Sequence, residues 1–208
     1  LREGVLYEQV DTLQCHNIKQ HTVDNLATRF AIDQEQIANV SRLALSFYDK
    51  VAKDWKINKK IYRELLQWAC QLHELGIEIN PSGYHKHGEY ILSKADLAGF
   101  NQEQQTALAW LIGNQRKKII PAKTHQWYLL DTSALSKICA LLRLAVLLCQ
   151  QRQLSLLPEY KISATGKLLE INFPVQWLLD RPLVDIDLFY EQQALESLNI
   201  QLDINSSE

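Results

Sequence analysis

The residues best suited to chemistry lie in the stretch 68–92, WACQLHELGIEINPSGYHKHGEYIL. It contains the adjacent pair His73 and Glu74 and, after a loop, His85 and His87. Imidazole nitrogen binds transition metals and carboxylate oxygen suits harder cations, so helices that bring such groups together can form a divalent-metal site. This stretch is therefore the first candidate for a functional site.

Two predicted helices must position these side chains. Apolar residues recur at helical spacing over 61–75, and Gly76 is a residue type that commonly ends helices. We therefore expect His73 and Glu74 in the last turn of the first helix. Helical spacing resumes after the loop and predicts a second helix over 84–94.

Four further helices are predicted around this pair. Apolar stripes at helical spacing run through 14–30, 33–51 and 101–112, and the stretch 134–151 is apolar on nearly all faces, which indicates a central buried helix. Arg143 lies inside that run and needs an anionic partner, for which a carboxylate of the protein is favoured over a phosphate. The residue types predict N-caps at Asp33, Asn58, Asn101 and either Thr132 or Ser133.

The pattern changes from helical spacing to alternation after residue 157. Residues 160–163 and 167–173 alternate between apolar and polar and are separated by a turn at Thr165–Gly166, which predicts a β-hairpin. An α+β unit of about 50 residues is too small to be stable alone, so we expect it to pack on the helical part. The remainder predicts a short helix at 174–179, a strand at 183–187, a helix at 188–198, a strand at 200–204 and an unstructured tail at 205–208.

Composition excludes some classes of function. Hydrophobic residues make up 47% and charged residues 22% of the 208, which is ordinary for a globular protein. The net charge of −2 argues against a protein that coats nucleic acid, and no apolar run is long enough to span a membrane. We expect a cytoplasmic protein without nucleic-acid or membrane partners. Cys15, Cys70, Cys139 and Cys149 lack C-x-x-C spacing, so buried free thiols are expected.

The order of the histidine motifs resembles the HD superfamily of helical phosphohydrolases. His73–Glu74 stands where that superfamily has its His–Asp pair, His87 matches the His before G-x-x-[IL]-L, and His21 matches the first His. The late helix reads LRLAV, with Val146 where the superfamily has an Asp that binds metal. The resemblance therefore implies a vestigial metal site that binds no metal, with His21, His73, Glu74 and His87 as its candidate residues.

A narrower resemblance rests on five segments taken together: 1–8 (LREGVLYE), 73–80 (HELGIEIN), 82–92 (SGYHKHGEYIL), 99–105 (GFNQEQQ) and 141–148 (LLRLAVLL). In this order they resemble the C-terminal half of the exopolyphosphatase / guanosine pentaphosphate phosphohydrolase family. That resemblance implies a mainly α fold, with the end of an upstream domain at 1–12, an HD-like helical domain at 13–156 and a small α+β unit at 157–208. The sequence contains no methionine, and we expect it to be the C-terminal part of a longer chain.

The resemblance also implies a function. The parent would be an exopolyphosphatase, a phosphoric anhydride hydrolase that uses Mg²⁺ and a glutamate base in its upstream half. We therefore expect no catalytic residue and no bound cofactor in this chain itself. The expected partners are inorganic polyphosphate or guanosine pentaphosphate, the upstream catalytic half, and a second copy in a homodimer.

A phosphate chain would need a local basic groove. Arg binds phosphate oxygens with a planar fork and Lys adds point charge, so the basic residues nearest the central motif are candidates. The expected phosphate-binding residues are Lys86, Arg116, Lys117, Lys118 and Lys123, with His85 and His87 as hydrogen-bond donors. The alternative for residues 116–118 is a solvated helix end that complements the helix dipole.

Two other functions stay open at this point. The chain could be a metal-dependent phosphohydrolase in its own right, with His21, His73, Glu74 and His87 as ligands. It could also be a purely structural dimerisation module, in which the apolar helices at 41–51 and 134–148 supply the interface.

Overall fold

The protein is described by a computed structural model over residues 17–152 and 157–207. It is mainly helical and ends in a small three-stranded sheet, as predicted. The predicted remnant of an upstream domain at 1–12, and Cys15, lie outside the described residues. The elements are α1 (17–29), α2 (Gln34–Val51), α3 (Lys60–Gln71), α4 (Tyr84–Lys94), α5 (Gln102–Asn114), a 3₁₀ turn (Ala122–Thr124), α6 (Thr132–Leu148), β1 (Lys161–Thr165), β2 (Leu168–Pro174), α7 (Val175–Leu179), α8 (Pro182–Glu196) and β3 (Gln201–Ser207).

Helix α6 is the centre of the molecule, as its all-round apolar pattern predicts. Residues 138–146 are buried without interruption, and the helix packs against α2, α3, α5 and α8. None of the helices described is both long and apolar enough to cross a membrane. The thiols of Cys70, Cys139 and Cys149 are buried and free, which confirms the prediction for these three. Burial raises the pKa of Cys139 and Cys149 to about 12.

The helix starts follow the sequence signals in two of four cases. The Asp33 side chain accepts the amides of residues 35 and 36, and Asn101 forms a capping box with Gln104. For α6 the prediction was wrong by one or two residues, because the Asp131 carboxylate accepts the Ala134 amide at 2.7 Å. For α3 it was also wrong, because Lys59 occupies the N-cap position and makes no side-chain cap.

Helix α3 ends earlier than predicted, and Gly76 is needed for a different reason than ending the helix. Helix α3 ends at Gln71, so His73 and Glu74 lie just beyond the helix rather than in its last turn. A Cβ atom at Gly76 would lie 2.4 Å from the carbonyl oxygen of Tyr84 and 2.6 Å from the Cβ of His87. Glycine is therefore required for the close approach of α4.

The sheet has the order β1-β2-β3. Strands β1 and β2 form the predicted antiparallel hairpin, whose turn contains Gly166 at a φ of +60°. Strand β3 runs parallel to β2, and parallel neighbours need a crossover connection, which α7 and α8 supply.

Two predictions for the C-terminal unit were wrong. The expected strand at 183–187 is part of α8, because Pro182 begins the helix and Asp185 lies in its first turn. The apparent alternation was misleading, since Leu183 is 74% exposed. The tail at 205–208 was predicted to be unstructured, yet β3 continues to Ser207 because β2 supplies backbone partners as far as Pro174.

The C-terminal unit packs on the helical part, as expected from its size. The ring of Tyr160 lies edge-on to Phe47 with centroids 5.2 Å apart, and its hydroxyl is 2.9 Å from Ser46. One apolar core runs from the helices into the buried residues of β2.

The proposed dimer interface on two apolar helices was wrong. The apolar residues of α2 and α6 within 41–51 and 134–148 are mostly buried in the core of the same chain, so they are not available to a partner. Exposed apolar residues lie instead on α8, where Leu183, Ile186 and Phe189 are 74%, 49% and 57% exposed.

Candidate functional site

The candidate site lies where the end of α3, the start of α4 and the end of α5 meet α6. His73 is 1% exposed, and its Nδ1 is 2.7 Å from the carbonyl oxygen of Cys70. Its own carbonyl accepts the Gln115 side-chain amide at 2.5 Å. Burial lowers the pKa of His73 to about 4, so the ring is neutral at pH 7 and Nδ1 donates to the carbonyl. Nε2 has no hydrogen-bond partner among the described residues.

Glu74 is engaged by an arginine. Its buried carboxylate accepts a hydrogen bond from Arg152 Nη2 at 2.8 Å, and the same guanidinium binds Asp33 at the start of α2. Burial raises the pKa of Glu74, while the positive charge of Arg152 opposes that rise. The Glu74 carboxylate is therefore part of an ion pair that ties the α3–α4 turn to α2.

Arg143 has the carboxylate partner that its buried position demanded. Its Nε and Nη2 bind the two Glu191 oxygens at 2.5 and 2.8 Å, and Nη1 donates to the Asn114 carbonyl at 2.5 Å. Both side chains are less than a tenth exposed. The prediction of a salt bridge is confirmed, and the pair joins α8 of the C-terminal unit to the helical core.

The residues at this centre do not fit a divalent metal. His21 is exposed on α1, with Nδ1 3.0 Å from the Asn25 amide. Glu74 is paired with Arg152, and His73 has Nδ1 on a carbonyl, which leaves Nε2 without a partner among the described residues. Val146, at the position of the missing carboxylate, is a buried apolar residue. Across residues 17–152 and 157–207, no group of three or more His, Cys, Asp or Glu side chains is placed to hold a metal ion.

His85 is buried beside a concentration of positive charge. It is 4% exposed, and its Nδ1 has no hydrogen-bond partner within the described part of the chain. Burial is the main cause that lowers its pKa to about 4, and the charges of Lys86, Arg116, Lys117 and Arg143 lower it further.

Three consecutive cations follow α5 and form what we call the cationic rim: Arg116, Lys117 and Lys118. The Arg116 guanidinium lies 4.8 Å from the ring centre of Tyr84, and Lys117 Nζ donates to the Ser82 carbonyl at 2.6 Å. Lys117 and Lys118 are exposed. Among the described residues, no carboxylate lies within 4.0 Å of these three side chains.

Arg116 and Lys117 line one cleft of about 520 Å³ between α4, α6 and α8. Several of its other residues were not predicted, since nothing in the local pattern marks them: Tyr84, Gln150, Asp187, Tyr190 and Glu191. For Glu191 alone there was an indication in the sequence, because the buried Arg143 required an anionic partner. That requirement did not show which carboxylate the partner would be.

The other predicted phosphate-binding residues lie elsewhere. Lys86 pairs with Glu89 at 3.0 Å and lines a separate hollow of about 370 Å³. Lys123 lines a third hollow, with Lys137 and Lys167, while His87 is half-buried on α4. The structure therefore brings Arg116 and Lys117 into one cleft and separates them from Lys123.

A comparison with known protein families identifies the family of this chain. A family model described as Ppx/GppA phosphatase, domain III, matches residues 18–192. The chain belongs to the Ppx/GppA phosphatase family. The match confirms the resemblance to the exopolyphosphatase / guanosine pentaphosphate phosphohydrolase family and indicates a role in an exopolyphosphatase-like protein.

The matched part of the Ppx/GppA domain extends through most of α8. It includes the Arg143–Glu191 pair, the cationic rim and the α3–α4 turn, and it ends before β3. The family indicates a phosphatase parent, while the charged groups at the centre of this domain are arranged in internal ion pairs.

Proposed function

We propose that this domain III helps an exopolyphosphatase-like enzyme to hold inorganic polyphosphate or guanosine pentaphosphate. Hydrolysis takes place in an upstream catalytic half that uses Mg²⁺, and this domain supplies binding energy along the phosphate chain. The cationic rim is the part of the domain that makes this contact.

One observation carries the proposal. In a chain with a net charge of −2, three adjacent cations follow α5 without a carboxylate partner among the described residues, although other charges nearby are paired. Two of them, Arg116 and Lys117, line a cleft. The Arg116 plane and the Lys117 ammonium are held by an aromatic ring and a carbonyl, contacts that orient them without neutralising their charge.

The physical basis is additive electrostatics. By analogy with nucleic acids, each cation that neutralises a phosphate releases condensed counterions, so affinity depends steeply on salt. Arginine adds a bidentate geometry that matches phosphate oxygens. Residues 116–118 also follow the C-terminal end of α5, where positive charge is favourable by itself. That stabilising role would appear in folding and not in binding.

The test replaces the cationic rim in the enzyme that contains this domain. Arg116, Lys117 and Lys118 are changed together to Gln, and binding of fluorescently labelled polyphosphate is measured by anisotropy at low salt. The matched control changes Arg42, Lys53 and Lys59 to Gln, which removes one Arg and two Lys from exposed positions on α2, just after α2 and at the N-cap of α3.

We expect the rim variant to bind at least about tenfold more weakly and the control to bind like the wild type. Equal affinity of the rim variant and the wild type, with both folded, would remove the cationic rim from the phosphate path. A labelled guanosine pentaphosphate analogue in the same assay shows which of the two anions the domain favours.

The homodimer implied by the family resemblance belongs to the same proposal. We do not propose that the domain is itself a metal-dependent hydrolase. The Glu74 carboxylate is paired with Arg152, and Val146 has no atom that could bind a metal. Lys86, Lys123, His85 and His87 remain predicted phosphate contacts of second rank, to be changed singly in the same binding assay.

A further inference from the structure

The cleft beside the cationic rim contains a charge that a phosphate chain does not favour. Arg116 and Lys117 line this cleft of about 520 Å³, and so do Asp187 and Glu191 of α8. Glu191 is bound by Arg143, but no cation lies within 4.0 Å of the Asp187 carboxylate anywhere in the described ranges. Because phosphate oxygens are negative and accept hydrogen bonds, a carboxylate without a cation in the same cleft repels polyphosphate.

A second acceptor at this cleft is without a donor. Gln115 lines the cleft, is 1% exposed, and donates its side-chain amide to the His73 carbonyl. Since a carbonyl only accepts, this contact fixes the orientation of the amide group. Its Oε1 atom is buried and has no hydrogen-bond partner among residues 17–152 and 157–207, whereas buried polar atoms normally have one. A ligand that satisfies Asp187 and Gln115 therefore carries hydrogen-bond donors.

The cleft also offers an aromatic ring and an apolar wall. Tyr190 lines it and is 63% exposed, whereas the ring of Tyr84 is already in contact with the Arg116 guanidinium. The apolar wall includes Val146 and Leu147 of α6. Nucleobases stack on aromatic side chains because every base has a π-face. The Tyr190 ring is therefore suited to a planar heterocycle.

These groups together match a guanine nucleotide better than a bare phosphate chain. Guanine presents its N1–H and its exocyclic amine side by side, so one carboxylate accepts both hydrogen bonds. Adenine presents an acceptor beside its amine, which a carboxylate repels. The cleft also lies within the usual volume range of small-molecule sites, which is about 300–1,000 Å³.

We propose that Asp187 and Tyr190 are specificity-determining residues that make this cleft favour guanosine pentaphosphate over inorganic polyphosphate. Asp187 accepts the two donors of the guanine edge, Tyr190 stacks on the base, and the cationic rim binds the phosphates. The inference rests on the proposed function, because it uses the same rim as the phosphate contact. It adds a base-binding part on α8, which the rim alone does not supply.

The first test uses Asp187→Asn in the 208-residue chain, so that binding elsewhere in a parent enzyme does not contribute. Binding of ribose-labelled guanosine pentaphosphate and of labelled polyphosphate is measured by anisotropy at one salt concentration. The guanosine probe should bind at least about tenfold more weakly, because the variant loses a charged hydrogen-bond acceptor. Polyphosphate should bind equally well or up to about threefold more tightly, because a repelling charge is removed.

The matched control is Asp185→Asn. Asp185 is exposed on the same helix two residues earlier, and it lines a different hollow. The control removes the same charge from the chain, so both probes should bind as they bind the wild type. An inosine analogue of the guanosine probe, which lacks the exocyclic amine, should bind the wild type more weakly than guanosine does. Asp187→Asn should distinguish the two bases less well.

A second pair of variants tests the stacking contact. Tyr190→Leu removes the aromatic ring, whereas Tyr190→Phe keeps it, and the exposed position makes both changes compatible with folding. The leucine variant should bind the guanosine probe at least about fivefold more weakly than the phenylalanine variant. Polyphosphate affinity should be the same in both.

Three results would overturn the proposal. One is an Asp187→Asn variant that binds the guanosine probe like the wild type. Another is an equal loss of both probes in that variant, since Asp187 would then act on the fold or on the shared phosphate site. The third is a wild-type chain that binds neither probe, which also contradicts the proposed function. If the rim variant loses both probes while Asp187→Asn keeps them, the proposed function stands and only the base-binding part fails.

Discussion

Arg143 and Arg116 lie in the same part of the molecule and have opposite surroundings. Arg143 is 3% exposed and is bound by the Glu191 carboxylate and the Asn114 carbonyl. Arg116 is half-buried against the Tyr84 ring, without a carboxylate partner in the described part of the chain. The interior charges of this domain are thus held in internal ion pairs, whereas Lys117 and Lys118 of the rim are exposed to solvent.

The difference follows from the cost of burial. A charge removed from water is stable only with close partners, so Arg143 and Glu74 must be paired. A surface charge costs little without a partner, and its pairing contributes little to stability. We therefore expect interior changes to affect folding and rim changes to affect binding.

The largest expected effect comes from Glu191→Ala. It leaves the Arg143 guanidinium buried without its carboxylate, which should reduce the free energy of unfolding by about 3–5 kcal/mol. Urea denaturation measures this loss. Replacing Arg143 and Glu191 together by Leu should recover much of the loss. If Glu191→Ala unfolds like the wild type, the pair is not the constraint described here.

Acid sensitivity tests the interior histidines. The pKa of His73 and of His85 is about 4 in the fold, below the ordinary 6.5, because burial disfavours the charged ring. Between these values only the unfolded chain takes up the proton, so stability falls as pH drops from about 6.5 to about 4. Each histidine contributes about 1.4 kcal/mol per pH unit.

Urea denaturation at several pH values measures this slope. His73→Gln should remove about half of it, whatever its effect on stability at neutral pH. The rim variant should lessen the slope slightly, because it removes positive charge from near His85. A slope that His73→Gln leaves unchanged would show that His73 is not buried in the neutral form.

A smaller effect is expected at Arg152. Arg152→Gln removes the partner of the buried Glu74, whereas Arg63→Gln removes the exposed pair with Asp49. Losses of about 1–2 kcal/mol and below about 0.5 kcal/mol are expected in urea denaturation. Equal losses in the two variants would contradict the distinction between buried and exposed pairing.

Local patterns predicted what local physics controls. The bounds of α4, the Asp33 and Asn101 caps and the β1–β2 hairpin each depend on residues close in sequence, and the structure has them as predicted. The central position of α6 followed from its apolar residues on all faces.

Features that depend on distant residues were missed. The strand predicted at 183–187 was wrong because the helical crossover between parallel strands, rather than alternation, determines this segment. Glu191, the partner of Arg143, lies 48 residues further along the chain on α8, so it could be identified only once the fold was known. Gly76 was correctly predicted to be important, but as a residue that ends a helix. Its actual role, the close approach of α4, cannot be predicted from the residues next to Gly76 in the sequence.

The most direct measurement is the salt dependence of polyphosphate binding by the enzyme with and without the cationic rim. If three rim cations each neutralise one phosphate, changing them to Gln should make the slope of log K against log salt less negative by about 2, using about 0.7 per contact for a flexible polyanion. The variant at Arg42, Lys53 and Lys59 should keep the wild-type slope. Equal slopes for the wild type and the rim variant would contradict the central claim that this rim contacts the phosphate chain.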